Sequence, residues 1–149
     1  MGPTGVGKTD FAIERALECG SPVISCDSRQ IFKEMTIGTA VPDASQLEAV
    51  EHYFIHSNSI TEDYTAGRYE IEAHRLINSL FDEGHETLVM CGGSGFYIDA
   101  FVNGLDDFPP ADPSLRAELS ARIKEEGVGE LARQLRELDP ESCEVIDLA

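Results

Sequence analysis

Gly2-Pro3-Thr4-Gly5-Val6-Gly7-Lys8-Thr9 is the stretch that decides the fold. It matches the phosphate-loop pattern G-x-x-x-x-G-K-[ST] at every fixed position. Glycines let the backbone turn tightly and aim several N–H groups inward, with no Cβ in the way. Together with the positive end of the helix that follows, those groups form a cradle for phosphate oxygens. Lys8 adds a point charge at the outer phosphates, and the Thr9 hydroxyl is placed to ligate Mg²⁺. The competing reading of the stretch is a glycine-rich turn that caps a helix. The sequence after it supports the cradle: a helix from Lys8 carries Ala12, Ile13, Ala16 and Leu17 on one stripe and stops at Gly20. A phosphate loop leaves the end of a buried strand. Only Met1 precedes Gly2, so the sheet is expected to lack its first strand.

Outward from the loop, strands alternate with helices. Pro22–Cys26 reads as a short apolar strand that ends at Asp27-Ser28-Arg29-Gln30. A helix or turn carrying Ile31, Phe32 and Met35 follows, then a loop over Gly38–Pro42. Residues 43–51 read as a short helix capped by Asp43, and Tyr53–His56 as a strand. A long amphipathic helix is expected over 66–83, with Tyr69, Ala73, Leu76, Ile77 and Leu80 at helical spacing and Gly84 as its stop. Thr87–Cys91 reads as a buried strand, which Gly92-Gly93-Ser94-Gly95 turns into a helix over 96–103. Such alternation predicts a parallel sheet covered on both faces. The pattern changes at the Pro-rich segment 107–113, beyond which only helices are expected. Asp112 caps one, with Pro113 at its first position and Leu115, Leu119 and Ile123 as its stripe. Gly127 ends it. Val128, Leu131, Leu135 and Leu138 mark a second helix, and Pro140 opens a third that runs to the end. The division is thus an α/β core over 1–107 and a helical segment over 112–149.

Composition sets bounds on function. A chain of 149 residues suffices for one domain that buries about two-thirds of its surface. No apolar run is long enough to span a bilayer, so no membrane partner is expected. Cys19, Cys26, Cys91 and Cys143 are scattered without a C-x-x-C pair and read as reduced thiols of a cytoplasmic protein. Eleven Lys and Arg against 28 Asp and Glu give a formal charge of −17. That balance argues against a nucleic-acid surface spread over the whole chain, while leaving room for a local basic site.

In an open α/β sheet, ligands bind at the carboxyl ends of the strands. Three loops leave such ends: the phosphate loop, Asp27–Gln30 and Gly92–Gly95. Asp27 has two readings, a carboxylate facing a bound phosphate group or nucleophile, and a helix cap. The strand that ends at Cys91 lacks the terminal Asp with which motor and signalling phosphate-loop proteins help hold Mg²⁺. Its absence favours group transfer over ATP hydrolysis. His52, His56, His74 and His85 lack ligand spacing and read as surface or packing residues. Tyr64, Tyr69 and Tyr97 read as packing.

Taken together, GPTGVGKT, DSRQIFKEMTIGTAVP, HYFI, YTAGRYE and CGGSGFYIDA resemble the tRNA dimethylallyltransferase (isopentenyl-tRNA transferase) family in order and spacing. Asp112-Pro113 with Arg116, and Leu138-Asp139-Pro140-Glu141, are similar to it too. The resemblance covers essentially the whole chain. It implies a P-loop NTPase-like α/β core followed by the start of a helical insertion domain that grips the anticodon stem-loop. The implied activity is transfer of a dimethylallyl group from dimethylallyl diphosphate to the exocyclic N6 amine of the adenosine on the 3′ side of the anticodon in tRNA. The loop Gly2, Pro3, Thr4, Gly5, Val6, Gly7, Lys8 and Thr9 would hold the diphosphate, with Mg²⁺ at Thr9. Asp27 would take the proton from the amine. Ser28, Arg29, Gln30 and Ser94 would line the tRNA contact, and Arg116 would approach the diphosphate or the RNA backbone. A monomer is expected.

The sequence departs from the family pattern in places. Phe32 stands where Tyr is common, Ser94 where Thr is common, and Val41 where Lys is common, which removes one RNA contact. The chain ends about halfway through the family's usual length. Other readings stay open: a prenyltransferase acting on free adenine nucleotides, a small-molecule kinase holding ATP in the loop, and an inactive truncated fragment. The helical segment 112–148 speaks against the first, and the kinase lacks a recognisable adenine lid.

Overall fold

A computed structural model describes residues 5–105 and 112–146. Gly2, Pro3 and Thr4 of the phosphate loop, and 107–111 of the Pro-rich segment, lie outside the described residues. The chain divides into two compact units, Met1–Asp106 and Asp107–Ala149.

The first unit holds a three-stranded parallel sheet in the order β2-β1-β3: β1 is Val23–Ser25, β2 is His52–Tyr53 and β3 is Val89–Cys91. In register, Val23 faces His52 on one side and Val89 on the other, and Ser25 faces Cys91. Helices cover both faces, as the alternation predicts. Successive strand residues point to opposite faces, so each strand feeds two cores. Val23, Val89 and Cys91 pack on Ala12 and Ala16 of α1 (Lys8–Cys19) and on Val50. Cys26 and Met90 pack on Tyr69 and Ala73 of α3 (Ala66–Asp82) and on Tyr97 and Ala100 of α4 (Gly95–Asn103). Tyr69 is the largest fully buried side chain. It stacks on Tyr97 at 4.7 Å and meets Phe54 edge-on at 5.1 Å. Its hydroxyl donates to the Ser25 carbonyl at 3.1 Å, which satisfies the one polar atom it carries inside.

The helix signals act as read. Asp43 caps α2 (Ala44–Ala49) in a reciprocal capping box with Gln46. Thr65 caps α3 through the Arg68 N–H, and Gly20 follows α1. Two stripes are narrower than their spacing suggests. Leu17 on α1 is exposed, and Leu76 and Ile77 on α3 are half-buried.

Two expectations are corrected. The strand expected over Tyr53–His56 ends at Tyr53, because Phe54 (φ 61) and His56 (φ 48) adopt left-handed backbone that no ladder accepts. The chain instead turns back beside the 30–33 segment. There the His56 N–H donates to the Gln30 carbonyl, and the Asn58 N–H to Ile31. The last helix does not run to the end: α7 is a single turn, Pro140–Cys143, and residues 144–146 are turn and bend.

In the second unit, Asp112 accepts from the Ser114 and Leu115 N–H groups and caps α5 (Pro113–Glu126). Gly127 separates it from α6 (Val128–Leu138). The two helices are joined by a hydrogen bond from Arg122 to Gln134 (2.9 Å), and α6 carries an Arg133–Glu130 pair. Ala132 is buried, whereas Leu115, Leu119 and Ile123 are exposed.

The β3-to-α4 turn requires glycine at one point. A Cβ on Gly92 would lie 2.5 Å from the backbone carbon and oxygen of Cys26. Gly92→Ala is expected to cost about 1–3 kcal/mol by overpacking and to lower the melting temperature by roughly 3–10 °C. A Cβ on Gly95, three residues on, would meet nothing within 4 Å. Gly95→Ala, measured in the same calorimeter, is expected to melt like the parent.

Candidate functional site: a cleft at the carboxyl ends of the strands

The parallel strands deliver their carboxyl ends to one place, as this sheet type requires. Cys26 follows β1 and Gly92 follows β3. The Cys26 N–H donates to the Cys91 carbonyl at 2.9 Å, and the Ser94 N–H to the Cys26 carbonyl at 3.1 Å. The two loops are therefore tied side by side, with the phosphate loop beside them. Between them lies a cleft of about 530 Å³.

The phosphate-loop side is built from backbone. Gly5 (φ 83) and Gly7 (φ 80) both adopt left-handed geometry, which only glycine takes at little cost. Gly7 caps α1 without any side-chain hydrogen bond. Glycine at the cap position places no side chain of its own over the start of the helix, whose positive dipole end lies at the cleft. Lys8 and Thr9 line the same wall. Asp10 beside them accepts from Gln46 Nε2 at 2.6 Å, which ties α1 to α2.

Opposite sits the Asp27 turn. Asp27 Oδ1 accepts from the Arg29 N–H at 2.9 Å and from the Gln30 N–H at 3.3 Å. A methyl group at position 93 would come within 3.3 Å of Oδ2, so Gly93 leaves room beside that oxygen. No helix follows Asp27, so its carboxylate braces a turn rather than capping a helix. One oxygen holds the turn, and the residue also lines the cleft. Ser94 Oγ accepts from the Ser28 N–H (2.8 Å) and donates to Ser28 Oγ (2.9 Å), which locks the two loops by side chain as well as backbone.

Gly5, Gly7, Lys8, Thr9, Asp27, Ser28, Arg29, Gln30 and Ser94 thus line one cleft. Val6 is exposed. Arg116 lies in the first turn of α5, exposed, in the second unit. Sequence reasoning missed part of the wall. Thr39, Ala40 and Pro42 line the cleft, as do Gln46, His52 and Ile55. Thr39, Ala40 and Pro42 belong to the stretch DSRQIFKEMTIGTAVP and His52 and Ile55 to HYFI, but neither stretch by its spelling assigns these residues a place on the cleft. The sign available in the sequence was Gly38 and Pro42 bracketing a short loop close after Gln30. His52 has Nδ1 2.7 Å from the Val50 carbonyl and also lines the cleft, beyond the packing role expected of it. His74 is a surface residue, as expected, with Nε2 3.0 Å from the Phe101 carbonyl.

The donor set bears on a metal. Among the described residues no group of three His, Cys, Asp or Glu could hold a cation. The oxygens that line the cleft are the Thr9 hydroxyl, the Asp10 and Asp27 carboxylates and neutral carbonyls and hydroxyls. That suits a hard ion that keeps several waters and is bound chiefly by a ligand's phosphates, as Mg²⁺ is. It does not suit a resident transition metal.

The IPP transferase family model matches residues 30–149. The chain belongs to the IPP transferase family. Among curated relatives, it is 47% identical over 148 residues to the tRNA dimethylallyltransferase of Flavobacterium johnsoniae, covering 99% of this chain and 48% of that protein. Among solved structures, the full-length tRNA isopentenylpyrophosphate transferase of Bacillus halodurans is similar at 31% identity, with a TM-score of 0.67 over 99% of this chain and 48% of its own. A eukaryotic dimethylallyltransferase, solved while acting on tRNA, shares the fold with a TM-score of 0.80 at 23% identity, over 99% of this chain and 36% of its own. The chain spans about half the length of the curated relatives it matches. The architecture is thus the P-loop NTPase-like α/β fold of this IPP transferase family.

Beneath the cleft lies Cys26, whose thiol burial pushes up to about 12 from 9.0, helped by Cys91 and Asp27 nearby. Its neutral form is the one the fold favours, so stability from this group is intact below pH 9. It falls as pH rises from 9 toward 12, where the unfolded thiol ionises first. Cys19 is exposed. A thiol reagent at pH 8 is expected to label Cys19 in the folded protein and to reach Cys26 only on unfolding, as peptide mapping would show. Rapid native labelling of Cys26 would contradict its placement.

Proposed function

We propose that the protein is a tRNA dimethylallyltransferase and that this cleft is where the transfer takes place. What supports the reading is that Gly5, Gly7, Lys8 and Thr9 of the phosphate loop line one cleft together with Asp27, in a chain of the IPP transferase family. The donor is dimethylallyl diphosphate. The acceptor is the N6 amine of the adenosine 3′ to the anticodon in a tRNA anticodon stem-loop.

The chemistry follows from what each wall offers. The first-turn N–H groups and Lys8 hold the diphosphate and stabilise the charge that grows on it as the C1–O bond breaks. The amine nitrogen attacks C1, a C–N bond forms, and diphosphate leaves with the electron pair. Asp27 accepts the N6 proton, which offsets the positive charge developing on nitrogen. Because Oδ1 is already held by two N–H groups, the proton goes to Oδ2. The adenine must leave its stack to reach the cleft. Ser28 and Arg29 meet the RNA, and Ser94, hydrogen-bonded to Ser28, fixes it. Mg²⁺, held by Thr9 and the diphosphate oxygens, would supply further charge neutralisation on the leaving group. Arg116 belongs to the helical segment, whose helices make up the start of an RNA-gripping insertion, and serves there as a contact to the RNA backbone. Residues 1–107 and 112–149 are the two corresponding domains. The protein works as a cytoplasmic monomer. Among the described residues no helix is long and apolar enough to cross a membrane.

Two variants separate the walls. Lys8→Ala is expected to weaken diphosphate binding by about 1.5–3 kcal/mol, roughly ten- to a hundredfold, in calorimetric titration. Asp27→Asn keeps the shape of the turn and is expected to bind diphosphate like the parent, while prenyl transfer slows by about 10²–10⁴. An unaltered rate in Asp27→Asn would leave Asp27 as a brace of its turn alone.

A further inference from the structure

Gln30 joins three parts of the cleft. Its Nε2 donates to the Thr39 carbonyl (3.0 Å) and the Ala40 carbonyl (2.8 Å), and its Oε1 accepts from Ser25 Oγ at 3.3 Å. A primary amide has two N–H donors, and here both are spent inside the protein. The main chain of the same residue donates to Asp27 Oδ1 and accepts from the His56 N–H. One residue therefore connects the end of β1, the Asp27 turn and the 38–42 loop.

The loop it holds is one that needs holding. Ala40 has φ 50, a left-handed backbone that alanine keeps only where its surroundings impose it. Thr39 is buried, and its Oγ1 donates to the Met35 carbonyl at 2.7 Å. Gly38, Thr39, Ala40 and Pro42 all line the cleft. Without the amide, two carbonyls lose their partner and the loop regains the conformational freedom that its ordering had cost.

We propose that Gln30 is a positioning residue. Its amide latches the 38–42 loop as a wall of the cleft, and it acts on the reaction through that wall. This rests on the prenyl-transfer reading and gives Gln30 a role other than the RNA contact that family resemblance implies. A preformed wall presents the reactants to each other without an ordering cost at each turnover. Its loss therefore falls on the chemical step rather than on RNA affinity.

Two variants and two readouts test this. Gln30→Ala removes the latch. Gln30→Glu keeps the shape but sets an oxygen that cannot donate against the two carbonyls. Limited proteolysis by thermolysin, which cuts before large apolar residues such as Ile37, reads the loop in the free protein. Cleavage within 36–42 is expected to be at least about tenfold faster in both variants. In steady-state prenyl transfer to an anticodon stem-loop, kcat is expected to fall about tenfold or more, with KM for the RNA within about twofold. Unchanged cleavage overturns the latch. A raised KM at unchanged kcat overturns it in favour of direct RNA contact. If the parent transfers no prenyl group, the functional reading fails by itself, and the proteolysis alone decides the latch: faster cleavage supports it and parent-like cleavage overturns it.

Discussion

Cys26 and Gly92 meet backbone to backbone, and the cleft depends on that approach. Two main-chain hydrogen bonds, Cys26 to Cys91 and Ser94 to Cys26, hold β1 and β3 together just past their last paired residues. No side chain fits between them at position 92. The consequence is geometric. The turn carrying Asp27 and the turn carrying Ser94 leave the sheet side by side, and the Ser28–Ser94 hydroxyl pair closes the gap. Tyr69, buried among aromatic rings, holds the Ser25 carbonyl from below. A carboxylate at the mouth of the cleft is thus supported by a packed core rather than by a mobile loop, the condition under which a general base keeps its aim.

The charge of the chain and the chemistry of the cleft belong to different scales. A net charge of −17 describes the surface as a whole. The cleft is set by local donors: first-turn N–H groups, Lys8 and Arg29. Oriented amides in a recess favour a diphosphate whatever the distant surface carries, because screening removes the influence of charges beyond about 10 Å.

Much of this was legible in the sequence because it rests on residue types with strong local preferences. The caps at Asp43 and Asp112, the helix that starts at Lys8 and the order of strands and helices appear where their spelling placed them. What was not legible depends on contacts between distant residues or on backbone that its residues do not advertise. Phe54 and His56 are ordinary strand formers, yet both turn left-handed and end β2 after two residues. The 38–42 wall lies in a stretch that the family resemblance covers, yet nothing in its spelling announces a cleft wall. It lines the cleft because Gln30 reaches it, and a glutamine in a turn gives no sign of where its amide goes. Asp27 reads in sequence as a helix cap or a cleft carboxylate; the structure puts a turn, not a helix, after it, and only one carboxylate oxygen braces that turn.

The most direct test of prenyl transfer at this cleft is to incubate the protein with labelled dimethylallyl diphosphate, Mg²⁺ and an unmodified anticodon stem-loop, with free adenosine monophosphate in a parallel reaction, and to locate the label by nuclease digestion and mass spectrometry. Label on N6 of the adenosine 3′ to the anticodon, and none on the free nucleotide, is the expected result. Label on the free nucleotide alone, or on neither acceptor, would contradict it.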